Sequence, residues 1–314
     1  MKISRFLIIA IAASTSFLTA CTSEEEEASA RHELVFQLGM GNAETRATPE
    51  GTWTVGDYIA VKVGNTVKQY IITSTDGKAK GINYDNTFYW EDLGESSIKV
   101  TAWSFGKDYY ETLPSVITVK TDQSSTENYT ASDFLYAKET TITKGAPLNL
   151  TFYHQMTCLG FHINIAEPVE VSSVVLGGDP DLGEDMPFIK VNYSAPTEDV
   201  TTGYYPDYGQ CVIDYDDESI KGTIIAHKGE NVGDAQTFTA ILVPLSHNDN
   251  YELLPVFITL EDGTKFSFVL GIDVNLPVCE AGGRQFYTIN IKNKKLSVSG
   301  TEAAGPAVSA QDWQ

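Results

Sequence analysis

Apolar residues recur at every second position in one short segment of this chain after another. Tyr58 to Val63, Val67 to Thr73, Ile98 to Trp103, Val116 to Lys120, Leu148 to Tyr153 and Leu159 to Ile165 are rich in Val, Ile, Thr, Tyr and Phe. The same holds for Val171 to Leu176, Cys211 to Tyr215, Thr223 to His227, Thr237 to Val243, Leu253 to Leu260, Lys265 to Leu270, Gln285 to Ile291 and Lys295 to Ser299. A period of two sends successive side chains to opposite faces of a strand, so these segments are predicted strands. Gly64-Asn65 and Asp262-Gly263 each read as a tight hairpin turn. No window carries a long helical period with caps; short helices fit only in loops such as Asn128 to Asp133. Many short strands with regular turns predict an all-β chain built from β-sandwiches. The apolar run Leu159 to Ile165 stops at Ala166-Glu167-Pro168, which sets a boundary between a sandwich over 47–166 and a second over 167–314. The second holds two polar inserts, Gly177 to Glu184 and Ser194 to Gly209.

One alternating segment lies ahead of the first sandwich. Leu34, Phe36, Leu38 and Met40 alternate in "HELVFQLGMGNAETRAT", which then runs through Gly41-Asn42 to Arg46. Such a strand is of core quality, yet it stands where a polar tether is expected. The chain upstream explains the tether. Lys2 and Arg5 precede the apolar run Phe6 to Ala13, too short for a spanning helix. Leu18-Thr19-Ala20-Cys21 resembles the lipobox of bacterial lipoproteins. That resemblance implies a signal peptide over 1–20 and acylation of Cys21, palmitate included. Acyl chains contribute about 0.8 kcal/mol per buried methylene, so several together anchor stably. Ser23, Glu24, Glu25, Glu26 and Glu27 follow. As a run of like charges they form a solvated, self-repelling tether. They also resemble the acidic signal that sends some Gram-negative lipoproteins to the outer face of the outer membrane.

Charge and cysteines narrow the function classes. The 314 residues carry a formal charge of −21. Without Lys2 and Arg5 the balance is 19 basic against 42 acidic residues, or −23. That excludes a basic surface for nucleic acid or anionic lipid. Apart from Cys21 there are Cys158, Cys211 and Cys279, too few and too far apart for a disulfide framework. One bridge among the three is open but unforced, and all three also suit small buried apolar positions. No tight Cys/His ligand pattern, nucleophile elbow, P-loop or dinucleotide fingerprint is present, so neither metal, cofactor nor enzymatic activity is expected. His154 and His162 read as core-edge or cross-strand histidines, with no carboxylate or cysteine at ligand spacing. Asp214, Asp216, Asp217 and Glu218 are acidic neighbours expected by chance in so acidic a chain. "GGDPDLGED" (Gly177 to Asp185) lacks the spacing and the closing Glu of a calcium loop and reads as acidic surface.

Several pieces together resemble the fimbrillin-like lipoproteins, subunits of type V pili of Gram-negative anaerobes. They are the lipobox, the strand ending in "ETRAT", "WTVGDYIAVKV" (Trp53 to Val63) and "SDFLYA" (Ser132 to Ala137). "LNLTFYHQMTCLGFHINI" (Leu148 to Ile165) and "AGGRQFYTINIKNKKLSVSG" (Ala281 to Gly300) complete the set. Locally each reads as folding information: turns such as Gly56-Asp57 and Gly282-Gly283, then alternating strands. The resemblance implies two β-sandwich domains of transthyretin-like topology. It implies a pilus subunit, exported as a surface lipoprotein of the outer membrane and serving adhesion. It also implies maturation by an arginine-specific protease, here at the Arg46-Ala47 bond, and polymerisation with other pilin subunits, like or unlike, by donor-strand exchange. Leu34, Phe36, Leu38 and Met40 would then mark a displaceable strand, and 21–46 the lipidated tether and removable segment. Arg31 is a rival cleavage point, but a cut there leaves the strand attached. Residues "TEAAGPAVSAQDWQ" alternate poorly, being interrupted by Gly305-Pro306, and read either as a weak donor strand or as an end cap. The alternative function is a non-polymerising, glycan-binding surface lipoprotein. Trp90, Trp103, Tyr109, Tyr110, Tyr204, Tyr205 and Tyr208 would stack on sugar rings, if exposed.

Overall fold

The computed structural model describes residues 31–41, 53–178, 186–196, 207–245, 253–275, 277 and 279–300. Cys21, Ser23, Glu24 to Glu27, Arg46, Ala47, Tyr204, Tyr205 and 301–314 lie outside the described residues, as do 179–185 of the acidic insert. The compact, strand-built unit begins at His32.

Strands dominate, as the alternation requires. β1 (Phe36–Met40) is followed by β2 (Tyr58–Val63), β3 (Thr66–Ile72), β4 (Lys78–Gly81), β5 (Ser97–Ser104) and β6 (Val116–Thr118). Then come β7 (Leu135–Thr143), β8 (Asn149–His154), β9 (Thr157–Ile165), β10 (Val171–Leu176), β11 (Lys190–Ser194) and β12 (Gln210–Val212). The remainder are β13 (Ile224–Ile225), β14 (His227–Lys228), β15 (Gln236–Leu242), β16 (Leu254–Leu260), β17 (Lys265–Leu270), β18 (Arg284–Lys292) and β19 (Lys295–Gly300). Among the described residues two short α-helices, α1 (Trp90–Leu93) and α2 (Thr126–Ser132), and a 3-10 turn over Glu218–Ile220 interrupt them. α2 occupies the loop where a helix was expected, and Ser125 Oγ caps it by accepting the Asn128 N–H at 3.2 Å. Gly64 begins the two-residue turn between β2 and β3 with φ +57°, a conformation that favours glycine.

Hydrogen bonding closes seven strands into a barrel in the order β1-β4-β3-β2-β5-β7-β8, with β8 returning to β1. The later strands form three sheets, β13-β10-β16-β17, β12-β11-β6 and β14-β15-β9-β18-β19. The chain is therefore all-β. Sheet membership changes between β8 and β9, at Gln155-Met156, eleven residues before the turn at Ala166-Glu167-Pro168. β9 pairs antiparallel with β15 and parallel with β18, Phe161 facing Phe238 and Tyr287.

Two apolar cores result. The first gathers the inward residues of the barrel, among them Ile59, Val61, Tyr70, Ile72, Val100, Leu150 and Phe152, together with Leu34, Phe36 and Leu38. The second unites Phe161, Val174, Phe238, Ile258 and Ile289 with three residues of barrel strands, Ala60, Trp103 and Tyr136. Cys158, Cys211 and Cys279 form no disulfide. Burial pushes the thiols of Cys211 and Cys279 up to about 12, so neither is a ready nucleophile.

Candidate functional site: the seat of the first strand

β1 runs between β4 and β8 and is the element that closes the barrel. It is antiparallel to β4, with Phe36 opposite Ala79, and parallel to β8, with Leu38 opposite Leu150 and Met40 opposite Phe152. Both of its edges are bonded. The Gln37 N–H donates to the Leu148 carbonyl at 2.8 Å and the Gly41 N–H to the Phe152 carbonyl at 2.9 Å. On the other edge the Leu38 N–H donates to the Gly77 carbonyl at 2.8 Å. A strand satisfied on both sides leaves β4 and β8 no open edge here.

Its apolar face enters the barrel core. Leu34, Phe36 and Leu38 are 0%, 1% and 3% exposed, and Met40 packs at the margin. Burying such a side chain fully stabilises by about 1.5–3 kcal/mol. The Phe36 ring meets Tyr70 edge to face, centroids 5.4 Å apart, and the Tyr70 hydroxyl accepts the Phe88 N–H at 2.9 Å. Burial raises the Tyr70 phenol well above its ordinary value, so it stays neutral at physiological pH. The opposite face carries Gln37 and Gly39, both exposed.

Gly77 and Gly41 permit this close seating. A Cβ on Gly77 would stand 2.6 Å from the Leu38 carbonyl oxygen and 2.6 Å from the Trp53 ring, and its φ is +90°. A Cβ on Gly41 would stand 1.8 Å from the Tyr153 ring.

The segment entering β1 is held separately. The Leu34 N–H donates to the Phe88 carbonyl at 2.9 Å, and the Trp90 N–H to the His32 carbonyl at 3.1 Å. Glu91 closes this contact. It accepts the His32 N–H at 2.8 Å, meets His32 Nδ1 at 2.8 Å and has Lys144 Nζ at 3.4 Å. Hydrogen bonds from the His32 backbone and ring hold the Glu91 carboxyl down at about 2. Its support is therefore complete above about pH 4.5 and is lost as pH falls through about 2.

Other expected positions fall into place as packing. His162 Nδ1 lies 3.2 Å from Thr237 Oγ1, and its ring stacks on Phe286. His154 Nδ1 lies 2.8 Å from both carboxylate oxygens of Asp133, and both side chains are buried. Asp133 comes from 21 residues upstream, so no local spacing announced it. Asp217 pairs with Lys190 at 2.6 Å and accepts the Ser219 N–H. Among the described residues no three His, Cys, Asp or Glu side chains could hold a metal. Of the proposed sugar platforms, Trp90 and Trp103 are buried, Tyr109 and Tyr208 half-buried, and Tyr110 is 41% exposed. Tyr84, unremarked in the sequence, is 63% exposed and lies 5.4 Å from Tyr89, but the rings are tilted by 39° and form no common plane.

A family model described as fimbrillin-like matches residues 45–313. No curated protein matches the sequence. Among solved structures, a candidate cell adhesion protein from Bacteroides uniformis has a TM-score of 0.58 at 17% identity, covering 88% of this chain and 98% of its own. Another from Bacteroides ovatus has a TM-score of 0.59 at 18% identity, covering 89% and 99%. These likenesses are of fold. Among the described residues no helix is long and apolar enough to cross a membrane.

Proposed function

The chain belongs to the fimbrillin-like family, and from that premise we propose that it is a surface pilus subunit whose β1 is a temporary occupant of an assembly seat. The seating of β1 between β4 and β8 carries this reading. The strand is core-quality in its contacts, yet Arg46 stands a few residues beyond its end, in a polar stretch suited to proteolysis. In this reading an arginine-specific protease cuts Arg46-Ala47. β1 is then held only by contacts, and an equivalent strand from another subunit replaces it by β-strand addition. A head-to-tail contact of this kind does not close on itself and builds a filament. Acylated Cys21 and the acidic run Ser23 to Glu27 keep the uncut subunit at the cell surface until then. The protein acts as a structural adhesion component and not as an enzyme.

We read the two cores as the two transthyretin-like sandwiches. The pairing of β9 with β15 and β18 favours starting the second at about residue 156 rather than 167. The glycan-binding alternative gains no support from the buried Trp90 and Trp103. The deciding experiment treats the purified lipoprotein with an arginine-specific protease and images it by electron microscopy. Filaments whose subunits begin at Ala47 are expected. Filaments formed equally by an uncut Arg46→Gln variant, or subunits beginning elsewhere, would sink the proposal.

A further inference from the structure

We propose that the β1 seat selects its incoming strand by the pattern large-x-aromatic-x-large-x-x-glycine, and that Tyr153 enforces the glycine. This rests on the strand-exchange reading above and names the partner: an extended segment of a separate subunit that carries this pattern.

The first three positions follow from the pockets. Leu34, Phe36 and Leu38 fill space that excludes solvent, and Phe36 meets the edge-on ring of Tyr70. A smaller occupant leaves a void lined by fixed side chains, which costs contacts on both surfaces. The intervening positions select less: Gln37 is exposed and uses its Nε2 only to donate to the Asp76 carbonyl, and a Cβ on Gly39 would meet nothing within 4 Å.

The fourth position follows from Tyr153. Its ring lies where the side chain of residue 41 would be, 1.8 Å from a built Cβ. The ring is not free to swing aside. It packs edge to face on Tyr208 at 5.7 Å, and Asp207 hydrogen-bonds its hydroxyl. Asp207 is in turn paired with Lys138 of β7. Burial and Asp207 together push the Tyr153 phenol up to about 12, so it remains a neutral donor. A strand running past the Met40 position must pass this ring, and only glycine passes without moving it. Rejection by a clash is an efficient source of specificity.

Residues 301–314 do not carry the pattern. "TEAAGPAVSAQDWQ" has Val308 as its one branched aliphatic side chain, and Gly305 precedes it. Its one aromatic residue, Trp313, is preceded at the alternate positions by Gln311 and Ser309, so no register of that segment supplies three large apolar side chains in a row.

The test uses the full chain cut after Arg46 and a labelled peptide of sequence ELVFQLGMGNA, followed by fluorescence anisotropy. The peptide enters. Its Phe36→Ala and Gly41→Val forms bind about tenfold or more weakly, and a peptide of sequence TEAAGPAVSAQDWQ does not compete even at about hundredfold excess. Tyr153→Ala in the protein restores the Gly41→Val peptide to within about threefold, and does nothing for Phe36→Ala. In the uncut chain Gly41→Val lowers the melting temperature and Tyr153→Ala relieves that loss. A Gly41→Val peptide that enters as well as the parent, or no relief from Tyr153→Ala, overturns the selection rule alone. Failure of the parent peptide to enter overturns strand exchange and the partner with it, while the uncut pair of variants still reports on the Tyr153 contact.

Discussion

Phe36 is the centre of the β1 face, 1% exposed between Leu34 and Leu38, and its pocket is walled by Tyr70. Truncation to alanine leaves a cavity that Tyr70, fixed through Phe88, cannot collapse into. Phe36→Ala is expected to destabilise the uncut chain by about 3–5 kcal/mol, read from urea unfolding. Asp57 works through charge instead. It is buried, and that burial lifts its carboxyl from 3.8 to about 6, against a smaller opposing pull from Lys107. A raised acid pKa favours the protonated folded form, so stability from this residue is present below about pH 4 and declines as pH rises through about 6. Asp57→Asn should remove that decline. At pH 7.5 the variant is expected to be more stable by on the order of 1 kcal/mol, with the gap closing at pH 4 in the same urea titrations. The sequence marked Asp57 only as a turn residue before a strand, because burial is set by what packs over it. The same limit hid the His154–Asp133 pair. It also hid Gln123, a buried amide that donates to the Ile241 carbonyl and accepts the Ile241 N–H, both at 2.8 Å, across 118 residues. Contacts of that separation leave no local signature.

Elements were legible where alternation was strong. β2, β10 and β17 begin and end where the pattern placed them, and β1 stood out by its apolar face alone. β4, β7 and β11 did not. β4 reads Lys-Ala-Lys-Gly, with no large apolar residue, and is a strand because β3 and β1 supply partners on both sides. β7 buries its first three residues together, since Leu135 and Ala137 on one face enter the first core and Tyr136 on the other enters the second, which hides the period of two. The dependence of β4 on β1 has a measurable consequence. In a chain beginning at Ala47, the amides of β4 should exchange with solvent at least about a hundredfold faster, while those of β2 and β5 change little. Adding the ELVFQLGMGNA peptide should restore their protection. Unchanged exchange in β4 would mean that β1 does not support it.

At the scale of the whole molecule, the sequence conveyed an all-β chain with two cores, and the structure shows how those cores interlock. Ala60, Trp103 and Tyr136 sit on barrel strands but belong to the second core. Phe134 stacks on Phe105 at 4.5 Å and meets Tyr193 of β11 edge to face at 4.8 Å. Gln155, at the change of sheets, accepts the Tyr193 hydroxyl at 3.2 Å and the Gly209 N–H at 2.9 Å. The end of the run Leu159 to Ile165 carries no trace of this, because β9 forms that run while its partners β15 and β18 lie far along the chain. Cut at 166, the first piece would keep Leu159, Phe161 and Ile163 with neither neighbouring strand. Units built on shared strands, each shared strand contributing to both cores, do not unfold independently. The uncut chain should therefore melt in a single transition. Trp fluorescence and far-ultraviolet circular dichroism should give coincident curves, and the calorimetric and van't Hoff enthalpies should agree. A fragment of residues 32–166 should aggregate or bind a hydrophobic dye. Two resolved transitions, or a well-folded 32–166 fragment, would show that the aromatic seam joins the cores only weakly. If the proposed pilus role holds, a single transition would also mean that strain applied at the β1 seat reaches the second core without an intervening hinge.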